Sequence, residues 1–103
     1  MEGQPQISLE VLARYAGDAA REVSGVAGLA QSPMQRDRAV EISSSNDPTA
    51  VTLHLELEWG SAAEDVARKV QTRVAEYLER MANLTVGSVD VVFDGVSAPP
   101  AKQ

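Results

Sequence analysis

A chain of 103 residues has room for one core and not two, and with 44% hydrophobic and 23% charged residues its composition is that of a folded domain and not of a disordered one. A formal charge of −6 opposes capture by nucleic acid or by an anionic lipid surface, and the absence of cysteine removes disulfides, thiolate metal sites and cysteine nucleophiles together. Only 4% of residues are aromatic, so the core rests on Val, Leu, Ile and Ala, and platforms for stacking bases are scarce.

Met1–Pro5 lacks the basic and apolar regions of a signal peptide, and nowhere do ~18–20 apolar residues run together as a membrane span requires. A cytoplasmic protein is expected, with residues 1–6 a flexible N-terminal arm. Ser8 is placed to cap a first helix, with Glu10 in its first turn. Val11, Leu12, Tyr15, Ala16, Ala19 and Val23 then recur at helical spacing over Leu9–Ser24. Gly25 suits a left-handed cap at the helix end, with Val26 and Leu29 closing over it. Residues 30–38 are aperiodic and read as a surface loop. Ala39–Ser44 is a short strand, and Ser45-Asn46-Asp47-Pro48 turns the chain into a second one. There Val51, Leu53, Leu55, Leu57 and Trp59 alternate with Thr52, His54, Glu56 and Glu58, which sends the first row into the core and the second to water or a partner.

Gly60 breaks the alternation, and Ser61 with Glu64 forms a candidate capping box for a second helix. Its apolar stripe is Val66, Val70, Val74, Tyr77, Leu78 and Met81, and Asn83 ends it. Thr85–Phe93 alternates again as a final strand. Asp94-Gly95 is expected to turn the chain out into a disordered tail, residues 97–103. The order helix, strand, strand, helix, strand describes an α+β two-layer sandwich, a three-stranded sheet with two helices on one face, over residues 7–96. The last strand pairs either with Ala39–Ser44, making the sheet antiparallel, or with Val51–Trp59, making it mixed; the mixed sheet is preferred. So lean a core gains from self-association.

Once these elements are placed, several stretches resemble the alkaline-shock protein family. Ile7–Leu12 with Ala19–Val26 is similar to its opening helix and E-V-x-G-V exit, and Val51–Gly60 to its hydrophobic strand ending in an aromatic-Gly pair. Val66–Val74 resembles its V-A-x-x-V-Q-x-x-V helix, and Leu84–Val96 its closing strand. The resemblance implies a bacterial envelope-stress or general-stress protein that is cytoplasmic, lacks known catalysis and self-assembles as a homo-oligomer. It further implies that a small integral-membrane partner often holds the protein at the inner face of the membrane. Two departures stand out: the loop after Leu29 lacks the family's Gly-rich stretch, and no long polar tail follows Lys102.

Each candidate chemistry has a simpler reading beside it. His54, Glu56 and Glu58 share one strand face, yet neighbours on a face stand about 7 Å apart in a row, too far to converge easily on one ion. Gly25-Val26-Ala27-Gly28 spells the G-x-x-G loop with which KH domains clamp nucleic acid, but basic neighbours are missing and the chain is acidic. Asp90 and Asp94 are polar positions of the last strand, and no nucleophile, base and acid set accompanies them. Trp59, read as half-buried at the end of the inward row, is also a residue type that anchors interfaces. The expectation is a protein without catalytic residues, cofactor or metal. Its candidate partner-binding positions are Thr52, His54, Glu56, Glu58 and Trp59, on an outer face that docks an anchor protein or a second copy, with a KH-like nucleic-acid module as the alternative.

Overall fold

The computed structural model describes residues 8–30, 39–42, 48–83 and 85–97. The expected arm falls outside them, as does most of the expected tail. Helix α1 (Leu9–Arg21) starts as its sequence dictates: the Ser8 hydroxyl accepts the Val11 N–H at 3.2 Å, and Glu10 sits in the positive first turn. It ends earlier than Ser24. Gly25 is indeed left-handed, at φ 103°, but it turns the chain into a strand and does not cap the helix. That strand, β1 (Val26–Leu29), corrects the reading of these residues as a cover over the helix end.

Strands β2 (Val40–Ile42), β3 (Thr49–Leu57) and β4 (Val86–Val96) and helix α2 (Ala63–Ala82) complete the fold. β3 is the hub of the sheet. Its Leu57–Leu55 end pairs antiparallel with β1 and its Leu53–Val51 end antiparallel with β2, while β4 runs parallel along its whole length. The Ala30 N–H donates to the His54 carbonyl at 2.8 Å and the His54 N–H to the Ala39 carbonyl at 2.7 Å. β1 and β2 are therefore two segments of one interrupted edge strand, and the expected three-stranded sheet is recovered with its first strand split. The sheet is mixed, with the last strand beside Val51–Leu57.

Both helices lie on one face. Leu12, Ala16, Ala19 and Ala20 of α1 and Val66, Val70, Val74 and Leu78 of α2 meet Val51, Leu53 and Leu55, which are 0% exposed. The small residues of α1 let it sit close to the sheet: a Cβ added to Gly17 would meet Leu29 Cδ1 at 3.4 Å and Val40 Cγ2 at 3.6 Å. The helices run antiparallel, with Tyr15 and Tyr77 edge to face at 5.9 Å and Arg73 Nη1 on Glu22 Oε1 at 2.6 Å.

Several ends differ from expectation. The N-cap of α2 is Ala62, whose methyl group can accept no hydrogen bond; Ser61 stands one residue too early, in the preceding turn, with its N–H on the Glu58 carbonyl. Asn83 ends α2 as expected, in a left-handed conformation at φ 55° that asparagine tolerates. Met81 and Val11, assigned to apolar stripes, are exposed, since the sheet is covered by residues one step round each helix. Among the described residues no helix is long and apolar enough to cross a membrane.

Candidate partner-binding surface

Because side chains alternate along a strand, the inward row of β3 leaves Thr52, His54 and Glu56 on the face away from the helices, each half-buried. Register sets their neighbours. Thr52 lies between Glu41 of β2 and Asp90 of β4, His54 beside Val92, and Glu56 between Gly28 of β1 and Gly95 of β4. The face is thus acidic and carries an exposed valine. His54 Nδ1 stands 2.9 Å from Asp94 Oδ2, and both side chains are partly open to water.

That pair depends on a bulge. Phe93 is opposite Leu55, but Gly95 is opposite Glu56, so Asp94 is an extra residue in the ladder. Asp94-Gly95 therefore lies within β4 and does not turn the chain out; the ladder continues to Val96, and the Ser97 N–H still donates to the Leu57 carbonyl at 2.8 Å.

The remaining two candidate positions lie past the strand. Glu58 is exposed, with its N–H held by the Gly25 carbonyl at 2.8 Å. Trp59 is in the following turn and is 61% exposed, which overturns its placement at the end of the inward row: β3 stops at Leu57, and Gly60 reverses the chain at φ 88°. Only its backbone is tethered, N–H to Ser97 Oγ at 3.2 Å. The structure thus brings Thr52, His54 and Glu56 together on the face and sets Glu58 and Trp59 at its rim. Glu41 and Val92, absent from the sequence-based set, join the surface through strand register. Asp94 joins it through the bulge.

The alternative chemistries find little footing in this geometry. Among the described residues no three His, Cys, Asp or Glu side chains converge to hold a metal ion. The KH-like reading is corrected: Gly25 is buried against Val66, and Val26, Gly28 and Leu29 are paired with β3, so the four residues are a turn and a strand and not a projecting loop. A groove of about 550 Å³ lies between the end of α1 and α2, lined by Glu22, Arg68, Lys69, Thr72, Arg73 and neighbours. Within it Arg73 is bound to Glu22, while Arg68 bonds Asp65 at 3.1 Å.

The chain is similar to "Uncharacterized protein YloU" of Bacillus subtilis (strain 168), at 28% identity over 106 residues, spanning 91% of this chain and 88% of that protein. Among solved structures, its fold is similar to a zinc form of a MamM CTD with an aspartate-to-asparagine substitution, at a TM-score of 0.64 and 14% identity over 90% of this chain and 91% of that one. A valine-to-arginine variant of MamM matches at a TM-score of 0.63 and 14% identity, over 91% of each chain. These likenesses concern the fold alone. The family model that matches residues 1–98 is that of alkaline shock protein 23, described as having a cell envelope-related function, and the chain belongs to that family.

Proposed function

We propose that this chain is a non-enzymatic interaction module of the cell envelope-related response, which associates with itself and docks a small membrane-anchored protein from the cytoplasmic side. One observation carries the reading: both helices cover the same face of the sheet, and the opposite face, with Thr52, His54 and Glu56 on it and Glu58 and Trp59 at its rim, has no layer over it among the described residues. A sheet commonly leaves one face to water. An exposed Trp at the edge of such a face is a residue type that concentrates binding energy. The family's description supports the envelope setting. The described core packs α1 and α2 against the sheet, chiefly against β3, with Val26 of β1 and Val89 of β4 beside it.

The test is capture of membrane proteins by the immobilised chain from detergent-solubilised envelopes. Trp59→Ala should leave thermal stability unchanged, because its side chain is exposed, and should cut retention of a specific partner by about tenfold or more, the usual consequence of truncating an anchor. Equal retention by the wild type, Trp59→Ala and a Thr52, Glu56 double alanine variant would remove the outer face from the account.

A further inference from the structure

We infer that β4 pairs antiparallel with β4 of a second copy, across a two-fold axis through Val91, so that two sheets become one; this rests on the self-association proposed above and assigns its surface. The direction of the backbone groups comes first. The hydrogen bonds of His54 go to Ala30 and Ala39, on the β1/β2 side, whereas Thr49 donates to the Thr85 carbonyl and the Leu57 carbonyl accepts from Ser97, on the β4 side. In a strand these directions alternate residue by residue. In a parallel ladder a residue bonds to the two that flank its partner. Val51 and Leu53, partnered with Val89 and Val91, therefore bond to Ser88, Asp90 and Val92, and the N–H and C=O groups of Val89, Val91 and Phe93 point away from the sheet. Gln71 agrees with this, since its Nε2 donates to the Val89 carbonyl at 3.0 Å from the side of α2.

Apart from the Gln71 amide on the Val89 carbonyl, an oxygen that keeps a second lone pair for another donor, this edge lacks the usual protections. Edge strands are blunted by Lys, Pro, bulges or a covering element, yet Val86–Val96 contains neither Lys nor Pro, and its irregularities lie at Val86/Ser88 and Phe93/Gly95, outside the run between. The opposite edge is interrupted between β1 and β2 and offers no comparable length. Among the described residues no strand lies beside β4 on its outer side.

Charge then selects both occupant and register. A two-fold axis perpendicular to the sheet keeps each side chain on its own face, so it passes through a residue: Asp90, Val91 or Val92 are the central choices. Through Asp90, that residue faces its own copy; through Val92, Asp90 faces Asp94. Like charges directly opposite are destabilising. Through Val91, every acid meets an uncharged residue: Asp90 faces Val92 and Asp94 faces Ser88, while Val89 faces Phe93. The same register accounts for a shallow groove of about 390 Å³ between α2 and this edge, lined by Gln71, Ala75 and Val86–Asp90. The second copy's Phe93, brought opposite Val89 on the helix side, enters it. Val92 and Val96, 39% and 54% exposed, are covered as well.

The experiment is sedimentation equilibrium of the full chain over about 1–300 µM. The wild type should pass from monomer to dimer and no further. Val92→Lys sets a lysine against Asp90, and Ser88→Lys sets one against Asp94, each twice per dimer. Each should tighten the dissociation constant by about two- to thirty-fold, the fold-change of two cross-strand ion pairs. Val92→Asp should weaken it by a similar factor. Thr72→Lys, which adds the same charge on α2 where it lines the other groove, should leave it unchanged. A wild type monomeric throughout, a Val92→Lys that weakens or does not alter association, or equal tightening by Thr72→Lys would overturn the pairing. Retention of a membrane partner by such a monomer would still leave the docking function standing.

Discussion

Gly25 and Gly60 offer a matched test of how the sheet is joined to the helices. Both have positive φ, 103° and 88°, but a Cβ built on Gly25 falls 2.5 Å from Val66 Cγ2, whereas one on Gly60 meets nothing within 4 Å. Gly60→Ala therefore carries only the conformational cost of a side chain in that region, about 1–3 kcal/mol. Gly25→Ala carries that cost and the strain of forcing an atom into a packed core, a further ~1–3 kcal/mol. Val66 is 5% exposed and lies in the first turns of α2, so it cannot retreat without moving the helix. Urea denaturation followed by circular dichroism should thus place Gly25→Ala about 1–3 kcal/mol below Gly60→Ala, which at roughly 4–8 °C per kcal/mol for a domain near this size is visible as a lower Tm. A second variant isolates the contact: in a Val66→Ala background the obstructing methyl is gone, and the extra cost of Gly25→Ala over Gly60→Ala should shrink. Equal costs for the two glycines, or no change in the Val66→Ala background, would refute the packing argument.

Other expectations follow from single observations. Ala62→Asp should stabilise the fold by about 0.5–2 kcal/mol in a thermal melt, because the N-cap of α2 has extended backbone angles and no side-chain acceptor for the helix N–H groups. Leu53→Ala, at a fully buried position in the middle of β3, should cost about 2–5 kcal/mol. Thr52→Ala, its half-exposed neighbour, should cost roughly 0.5 kcal/mol or less. Asp94→Asn removes the charge facing His54 in a pair open to water and should change stability by no more than about 1 kcal/mol. A larger loss in a urea titration would mean that the bulge itself depends on that contact.

What the sequence discloses here is periodicity, and what it hides is register. The alternation over Val51–Leu57 and the Val66, Val70, Val74, Leu78 stripe place the central strand and second helix correctly, because each repeats one apolar face over several turns or pleats. β1 escapes notice since Val26-Ala27-Gly28-Leu29 is short and contains an irregularity between Val26 and Gly28 that spoils the alternation. Local signals mislead where tertiary structure reassigns them. Asp-Gly is a turn signal that β4 uses for a bulge, and the spacing of Ser61 and Glu64 imitates a capping box in a chain that starts its helix later. The outer row Thr52, His54, Glu56 is legible from the strand alone. Its companions Glu41, Asp90, Val92 and Asp94 are not, because they arrive from other strands and, for Asp94, from 40 positions away.

The interrupted edge has a practical corollary. Ala30 and Ala39 are fastened to the same edge of one residue, Ala30 through the His54 carbonyl and Ala39 through the His54 N–H, so β1 and β2 are tied to the sheet at one fixed point. Whatever length is spliced between them, the ladder on either side keeps its alignment, and each doubling of the intervening segment adds only about 0.6 kcal/mol of closure entropy. An epitope, a fluorescent reporter or a recruitment peptide spliced between Ala30 and Ala39 should accordingly leave β1 and β2 in register with β3.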